Sequence, residues 1–172
     1  LLIKNKLSDM QGVASENIIL GAGSSELIEL LIKSIDNKDT SNVLVTEYSF
    51  LLYRVLCSQY NIEYNIAKDK DYHQDLEAIK NTINANTKII FIANPNNPTG
   101  TYVSFEKLRN FIKSIDQNIL VVIDEAYCEY VMQKNYQSAI SLVNEFDNVV
   151  VLRTFSKIYG LAGLRVGYAV AS

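Results

Sequence analysis

The sequence predicts an α/β fold, a three-layer α/β/α arrangement around a mostly parallel, seven-stranded sheet, and three observations carry that expectation. Seven short apolar, β-branched runs recur along the 172 residues. Runs such as KIIFIA and ILVVI show no in/out alternation, which marks strands buried on both faces. Between the runs lie stretches with apolar residues three and four apart, and alternation of strands with helices builds a parallel sheet covered on both sides.

In chain order the strands are expected at 17–20, 43–46, 62–66, 88–93, 119–123, 149–152 and 166–171. The first helical stripe is Leu27, Leu30, Leu31 and Ile35, and the second is Leu76, Ile79 and Ile83. The third is Phe105, Leu108, Ile112 and Ile115, with Ser104 available as its N-cap. All three stripes are expected to pack into the core. The connection from Gly160 to Arg165 is too short for a crossover helix to a parallel neighbour. The last strand is therefore expected to be antiparallel or to be reached by an irregular path. Repeats, low-complexity tracts and linkers are absent, so residues 1–172 read as one domain.

Composition removes several classes of function. Hydrophobic residues make up 48% and charged residues 20%, as in ordinary globular proteins, and the formal net charge of −3 comes with no basic patch for nucleic acid. No apolar run reaches the length needed to cross a bilayer, and LLIKNKLSDM lacks the features of a signal peptide. Cys57 and Cys128 are far apart and without a CxxC pattern, which fits free thiols in a reducing cytoplasm. His73 is the single histidine and lies among charges, so a metal site built on several His and Cys is excluded, and no metal is expected. Chemistry is left to Lys, Asp, Tyr, Ser and Arg.

Those residue types gather after the strands, where ligands bind in open α/β sheets. GAGSSE follows the first run, EYSF the second, NPNNPTG the fourth, DEAY the fifth and RTFSK the sixth. Gly21-Ala22-Gly23-Ser24-Ser25-Glu26 suits a tight turn into a helix whose free amides could take a phosphate. A plain strand-to-helix turn explains it equally. A dinucleotide-binding turn fits less well: Glu47 stands where a ribose contact could be, but Glu26 occupies the third glycine position of G-x-G-x-x-G. In NPNNPTG two prolines stiffen a loop that could aim an Asn inward, although Asn, Pro and Gly also make ordinary turns. Asp124 arrives straight from a buried run, where a carboxylate needs a cationic partner such as a protonated ring nitrogen, or else caps a following helix. Tyr127 is close enough to address the same ligand. Lys157 comes off a buried strand beside Thr154 and Ser156 and eight residues before Arg165. A lysine near a cation and away from water has the lowered pKa that a Schiff-base amine needs. The hydroxyls and Arg165 together suit a phosphate.

With GAGSSELIELL, NPNNPTG, VVIDEAY and LRTFSKIYGLAGLRVGY in this order, the chain resembles the fold-type-I pyridoxal-phosphate aminotransferases of classes I and II. Within them it is most similar to the histidinol-phosphate aminotransferases. The resemblance runs from the tail of a helix at Leu1 to the strand ending near Ala171. It implies pyridoxal 5'-phosphate as cofactor, with Lys157 as the Schiff-base lysine and proton shuttle. Asp124 matches the carboxylate at the pyridine nitrogen, and Asn97 and Tyr127 match the donors to the phenolic oxygen. Phe50 matches the aromatic on the ring face. Ser24 and Ser25 (through backbone amides), Thr154, Ser156 and Arg165 match the phosphate cradle.

The resemblance further implies a cytoplasmic homodimer exchanging an amino group between a small-molecule donor and a 2-oxo acid, in histidine biosynthesis. An amino acid phosphate decarboxylase of the same family is the nearest alternative, followed by an aromatic or other amino acid aminotransferase. By this comparison the chain is the large, cofactor-binding domain without the N-terminal arm and the C-terminal domain, and alone it is expected not to complete the reaction. Family members carry a proline near the stacking aromatic, where this chain reads Glu47-Tyr48-Ser49. Of its arginines, Arg54, Arg109 and Arg153 are assigned to no substrate group.

Overall fold

Strand phase decides the layers. In the computed structural model, which describes residues 2–172, Val121, Ile123, Val149 and Val151 face one core. Val122, Val150 and Leu152, the intervening residues, face the other. Side chains of successive strand residues point to opposite faces, and each face here is apolar enough to hold its own helices. The three-layer arrangement expected from the runs is therefore present. Leu1, where the expected helix tail begins, lies outside the described residues.

The seven strands are β1 (Ile18–Gly21), β2 (Asn42–Thr46), β3 (Glu63–Ala67), β4 (Thr87–Ala93), β5 (Leu120–Asp124), β6 (Val149–Thr154) and β7 (Gly167–Ala171). They lie in the order β1-β7-β6-β5-β4-β2-β3. Pairing is parallel from β3 through β2, β4 and β5 to β6. β7 runs antiparallel to both β6 and β1, in keeping with the short connection before it. The chain leaves β2 toward β3 and leaves β4 in the opposite direction toward β5. A crevice opens at such a divergence, beyond the carboxyl ends of the strands.

Helices α2 (Ser24–Lys33) and α3 (Leu52–Gln59) cover one face. Helices α1 (Leu2–Gln11), α4 (Leu76–Thr82) and α5 (Phe105–Lys113), with the short 3-10 segment Ala139–Asn144, cover the other. Two details of the expected helices need correction. Leu27 is buried as expected, but Leu30 is 49% exposed, and Ile28 and Ile32 carry the core contact of α2 in its place. Ile35 is buried beyond the helix end. Ser104 holds the N-cap position of α5 without a side-chain capping bond. Asp75 does cap α4, accepting from the amides of Glu77 and Ala78.

Candidate active site

All ten residues singled out in the sequence line one cleft at the carboxyl ends of β4, β5 and β6. Ser24, Ser25, Phe50, Asn97, Asp124, Tyr127, Thr154, Ser156, Lys157 and Arg165 meet there from loops far apart in sequence. The cleft has about 570 Å³ free of protein atoms, including space open to solvent.

One end is built for an anion. Gly23, at φ 80°, turns the chain into α2, and as a glycine N-cap it leaves the first amides without a side-chain partner. Glu26, which spoils the dinucleotide pattern, instead accepts from the Ala22 amide at 2.6 Å and closes the turn on itself. Glu47, the other half of that pattern, pairs with Lys68 at 2.9 Å. Arg165 reaches across from the start of β7 and donates to the carbonyls of Ala22 and Ala162, both at 3.1 Å. Thr154 Oγ1 accepts from the Ser156 amide at 3.1 Å and lies 3.0 Å from the Ser156 hydroxyl. A helix N-terminus, two hydroxyls and a guanidinium form a phosphate-sized set of donors.

The other end holds the buried carboxylate. Asp124 continues the phase of Val122, so its side chain emerges on the face covered by α2 and α3. It is 4% exposed. Oδ2 accepts from the Tyr53 hydroxyl at 2.9 Å and Oδ1 from the Ala126 amide at 3.1 Å. Burial raises the carboxyl above its ordinary range, against the opposing pull of Tyr53, the Ala126 amide and the Lys157 charge. Among the described residues no Lys or Arg forms an ion pair with it. An anion buried at a cleft without a paired cation is arranged for a cationic ligand group.

Lys157 lies in the turn after β6, with Nζ 5.0 Å from the centroid of the Tyr127 ring. Its side chain is exposed, which corrects the expectation of a lysine shielded from water. The asparagines of NPNNPTG divide their tasks. Asn94 both donates to the Val103 carbonyl and accepts from the Val103 amide, at 3.0 and 2.8 Å. Asn96 donates to the Tyr48 carbonyl at 2.9 Å. Asn97 is left to face the cleft. The Tyr48 amide is held in turn by Asp69 at 2.8 Å, so side-chain bonds fix the segment on both sides. Arg54, Arg109 and Arg153 are occupied elsewhere, by the Glu47 carbonyl, by Glu145, and by Glu125 with Glu129.

Tyr53 and Gly167 are the residues that sequence reasoning missed. Tyr53 is fully buried, stacked on Phe91 at 4.5 Å between centroids and set edge-on to Phe50 at 5.6 Å. Its spacing of three from Phe50, one helical step along the same face, was an available signal. A glycine inside a strand run, as in RVGY, signals close backbone approach.

Comparison with known proteins identifies the family and the fold. The family model for aminotransferase class I and II matches residues 3–172. Histidinol-phosphate aminotransferase 1 of Psychrobacter arcticus is 44% identical over 99% of this chain and 44% of its own length. Histidinol-phosphate aminotransferase of Halalkalibacterium halodurans is 41% identical over 99% of this chain and 46% of its own. The crystal structure of histidinol-phosphate aminotransferase from Sinorhizobium meliloti in complex with pyridoxal-5'-phosphate superposes with a TM-score of 0.91. It is 27% identical and covers 98% of this chain and 45% of that one. The chain thus spans about half the length of the curated relatives it matches.

Proposed function

The chain belongs to the class I and II aminotransferases, and on that premise we propose that it forms the cofactor-binding domain of a pyridoxal-phosphate-dependent histidinol-phosphate:2-oxoglutarate aminotransferase. One observation carries the reading: an anion cradle, a buried carboxylate without an ion-pair partner and a lysine line the same cleft. The names of the relatives supply the donor.

When bound, the cofactor supplies a conjugated electron sink for the electron pair released at the substrate Cα. The chain does the rest. The Ser24 and Ser25 amides, Thr154, Ser156 and Arg165 bind the phosphate. Asp124 would pair with the protonated ring nitrogen, Asn97 and Tyr127 would donate to the phenolic oxygen, and Phe50 would pack on the ring face. Lys157 would hold the cofactor through Nζ, and its amine would serve as the base that takes the proton from the substrate Cα. Leu51, Tyr130 and Leu164, neighbours in sequence of site residues, are 62%, 55% and 65% exposed, which supports a homodimer covering this edge. Two free cysteines fit a cytoplasmic setting.

Borohydride reduction of the loaded protein followed by peptide mapping tests the assignment. The cofactor should be fixed to Lys157 in the parent, and Lys157→Ala should abolish fixation while leaving the circular dichroism spectrum intact. Fixation at another lysine overturns the site. Release of carbon dioxide from an amino acid phosphate, with no exchange from histidinol phosphate to 2-oxoglutarate, overturns the reaction.

A further inference from the structure

We propose that Tyr53 is a positioning residue for this reaction, its hydroxyl fixing the Asp124 carboxylate for its work at the ring nitrogen. The proposal rests on the cofactor reading above for its purpose, and on the geometry of two buried side chains for its substance.

Tyr53 reaches Asp124 from α3, across the sheet face rather than along the strand. Its ring is locked between Phe91 of β4, parallel at 10°, and Phe50, perpendicular at 88°. A ring held on two sides leaves the hydroxyl no freedom to follow another partner, and the partner it meets is Asp124 Oδ2 at 2.9 Å. Burial, followed by the negative charge of Asp124, raises the phenol well above its ordinary range, so Tyr53 remains a donor throughout the working pH range. The Ala126 amide holds the other oxygen. Other titratable side chains around the carboxylate are Tyr127, Lys157 and Arg165, all lining the same cleft. Glu125, the adjacent carboxylate, points to the opposite face and is bound by Ser138, the Ala139 amide and Arg153.

A donor on Asp124 has two effects. It locks the rotamer that presents the carboxylate to the cleft. It also makes the carboxylate less basic, which leaves a proton shared with a ring nitrogen on the nitrogen. Tyr53 links ring face and ring nitrogen as well, because the same side chain backs Phe50.

The test is Tyr53→Phe, which keeps the ring stack and removes the hydroxyl. In the intact protein without cofactor, the ¹³Cγ resonance of Asp124 should titrate about one to two pH units higher than in the parent. With ¹⁵N-labelled pyridoxal phosphate bound, the ring-nitrogen resonance should move toward its unprotonated position, and kcat should fall at nearly constant KM for the amino donor. Replacing Tyr53 by 3-fluorotyrosine, a stronger donor of almost the same shape, should shift the Asp124 titration the other way. This second variant gives an independent reading should the phenylalanine variant fold poorly. An Asp124 titration unchanged in either folded variant overturns the proposal. So does an unchanged ring-nitrogen resonance in Tyr53→Phe. Absence of borohydride fixation at Lys157 in the parent would sink the cofactor reading instead, and the Asp124 titration would still report whether Tyr53 controls that carboxylate.

Discussion

A β-carbon on Gly167 would stand 2.5 Å from the backbone nitrogen of Ser24. Strand β7 therefore passes directly beneath the start of α2, and only the absence of a side chain allows the approach. The atoms met first are backbone, at Ser24 and Gly23, and at 2.9 Å the carbonyl of Arg153, so no side chain can swing aside. Gly167→Ala should push the start of α2 outward, at a cost of about 1–3 kcal/mol for overpacking. Urea unfolding measures that loss. Because the Ser24 and Ser25 amides move with the helix, the cofactor dissociation constant should rise by roughly tenfold or more, equivalent to about 1.4 kcal/mol. Unchanged affinity would show that β7 does not set the cradle.

The buried carboxylate gives a pH prediction. Burial raises Asp124 above its ordinary value of 3.8, so folding favours the protonated form. Its contribution to stability is full below that value and is lost as pH rises through the higher value of the folded state. Asp124→Asn removes the titration. Without cofactor, the parent should lose stability relative to this variant as pH is raised from about 3.8 toward neutrality, followed by urea unfolding at each pH. A difference that stays constant with pH would show that Asp124 titrates alike in the folded and unfolded chain.

Behind the site, the buried Glu125 forms an ion pair with the partly buried Arg153. Glu125 is fully buried, accepting from the Ser138 hydroxyl at 2.8 Å and the Ala139 amide at 2.6 Å. Arg153 Nε stands 2.9 Å from Glu125 Oε2, close for an ion pair though not aligned as a hydrogen bond. Glu125→Ala should cost about 3–5 kcal/mol, because it strands part of the arginine charge. Asp124 and Thr154 adjoin these two residues, so cofactor binding should weaken as well. Differential scanning calorimetry and cofactor titration check the two effects. A cost below about 1 kcal/mol would mean that Glu129, 2.9 Å from Arg153 Nη1, suffices for the arginine.

Both thiols should be silent. Cys57 and Cys128 are unpaired and buried, and burial pushes the Cys57 thiol up to about 12 and the Cys128 thiol higher still. Only the thiolate attacks a disulfide reagent. The native protein should release no chromophore with Ellman's reagent over minutes, and the unfolded protein two equivalents. Rapid reaction in native buffer would show that α3 or the turn after β5 opens readily.

Local pattern sufficed for much of this molecule. The seven strand runs and the two-faced burial of β4, β5 and β6 were legible, and the short last connection already argued against an ordinary parallel crossover, because strand burial and connection length leave direct marks on the sequence. Helix α3 was not among the helices read from apolar spacing. Its buried face is Tyr53, Leu56 and Cys57, and a tyrosine and a cysteine weigh little in a search for aliphatic residues at helical spacing. Leu30 misled for the converse reason: at that spacing it belongs equally to the stripe and to the exposed flank, and only docking on the sheet chooses Ile28 and Ile32.

The sequence by itself determined which residue types stand at the ends of which strands, and so which ten side chains could share a cleft. Strand positions and burial follow from hydrophobicity along a few residues at a time, whereas strand order across the sheet does not. Tertiary structure alone decided the distances between those ends: the Tyr53 hydroxyl on Asp124, Gly167 under Ser24, Arg165 across to Ala22, and Lys157 open to solvent. Each depends on how a helix seats against a twisted sheet, with partners separated by 71 residues in the first case and 143 in the third. Such contacts are set by packing of the whole core, which no local window of sequence encodes.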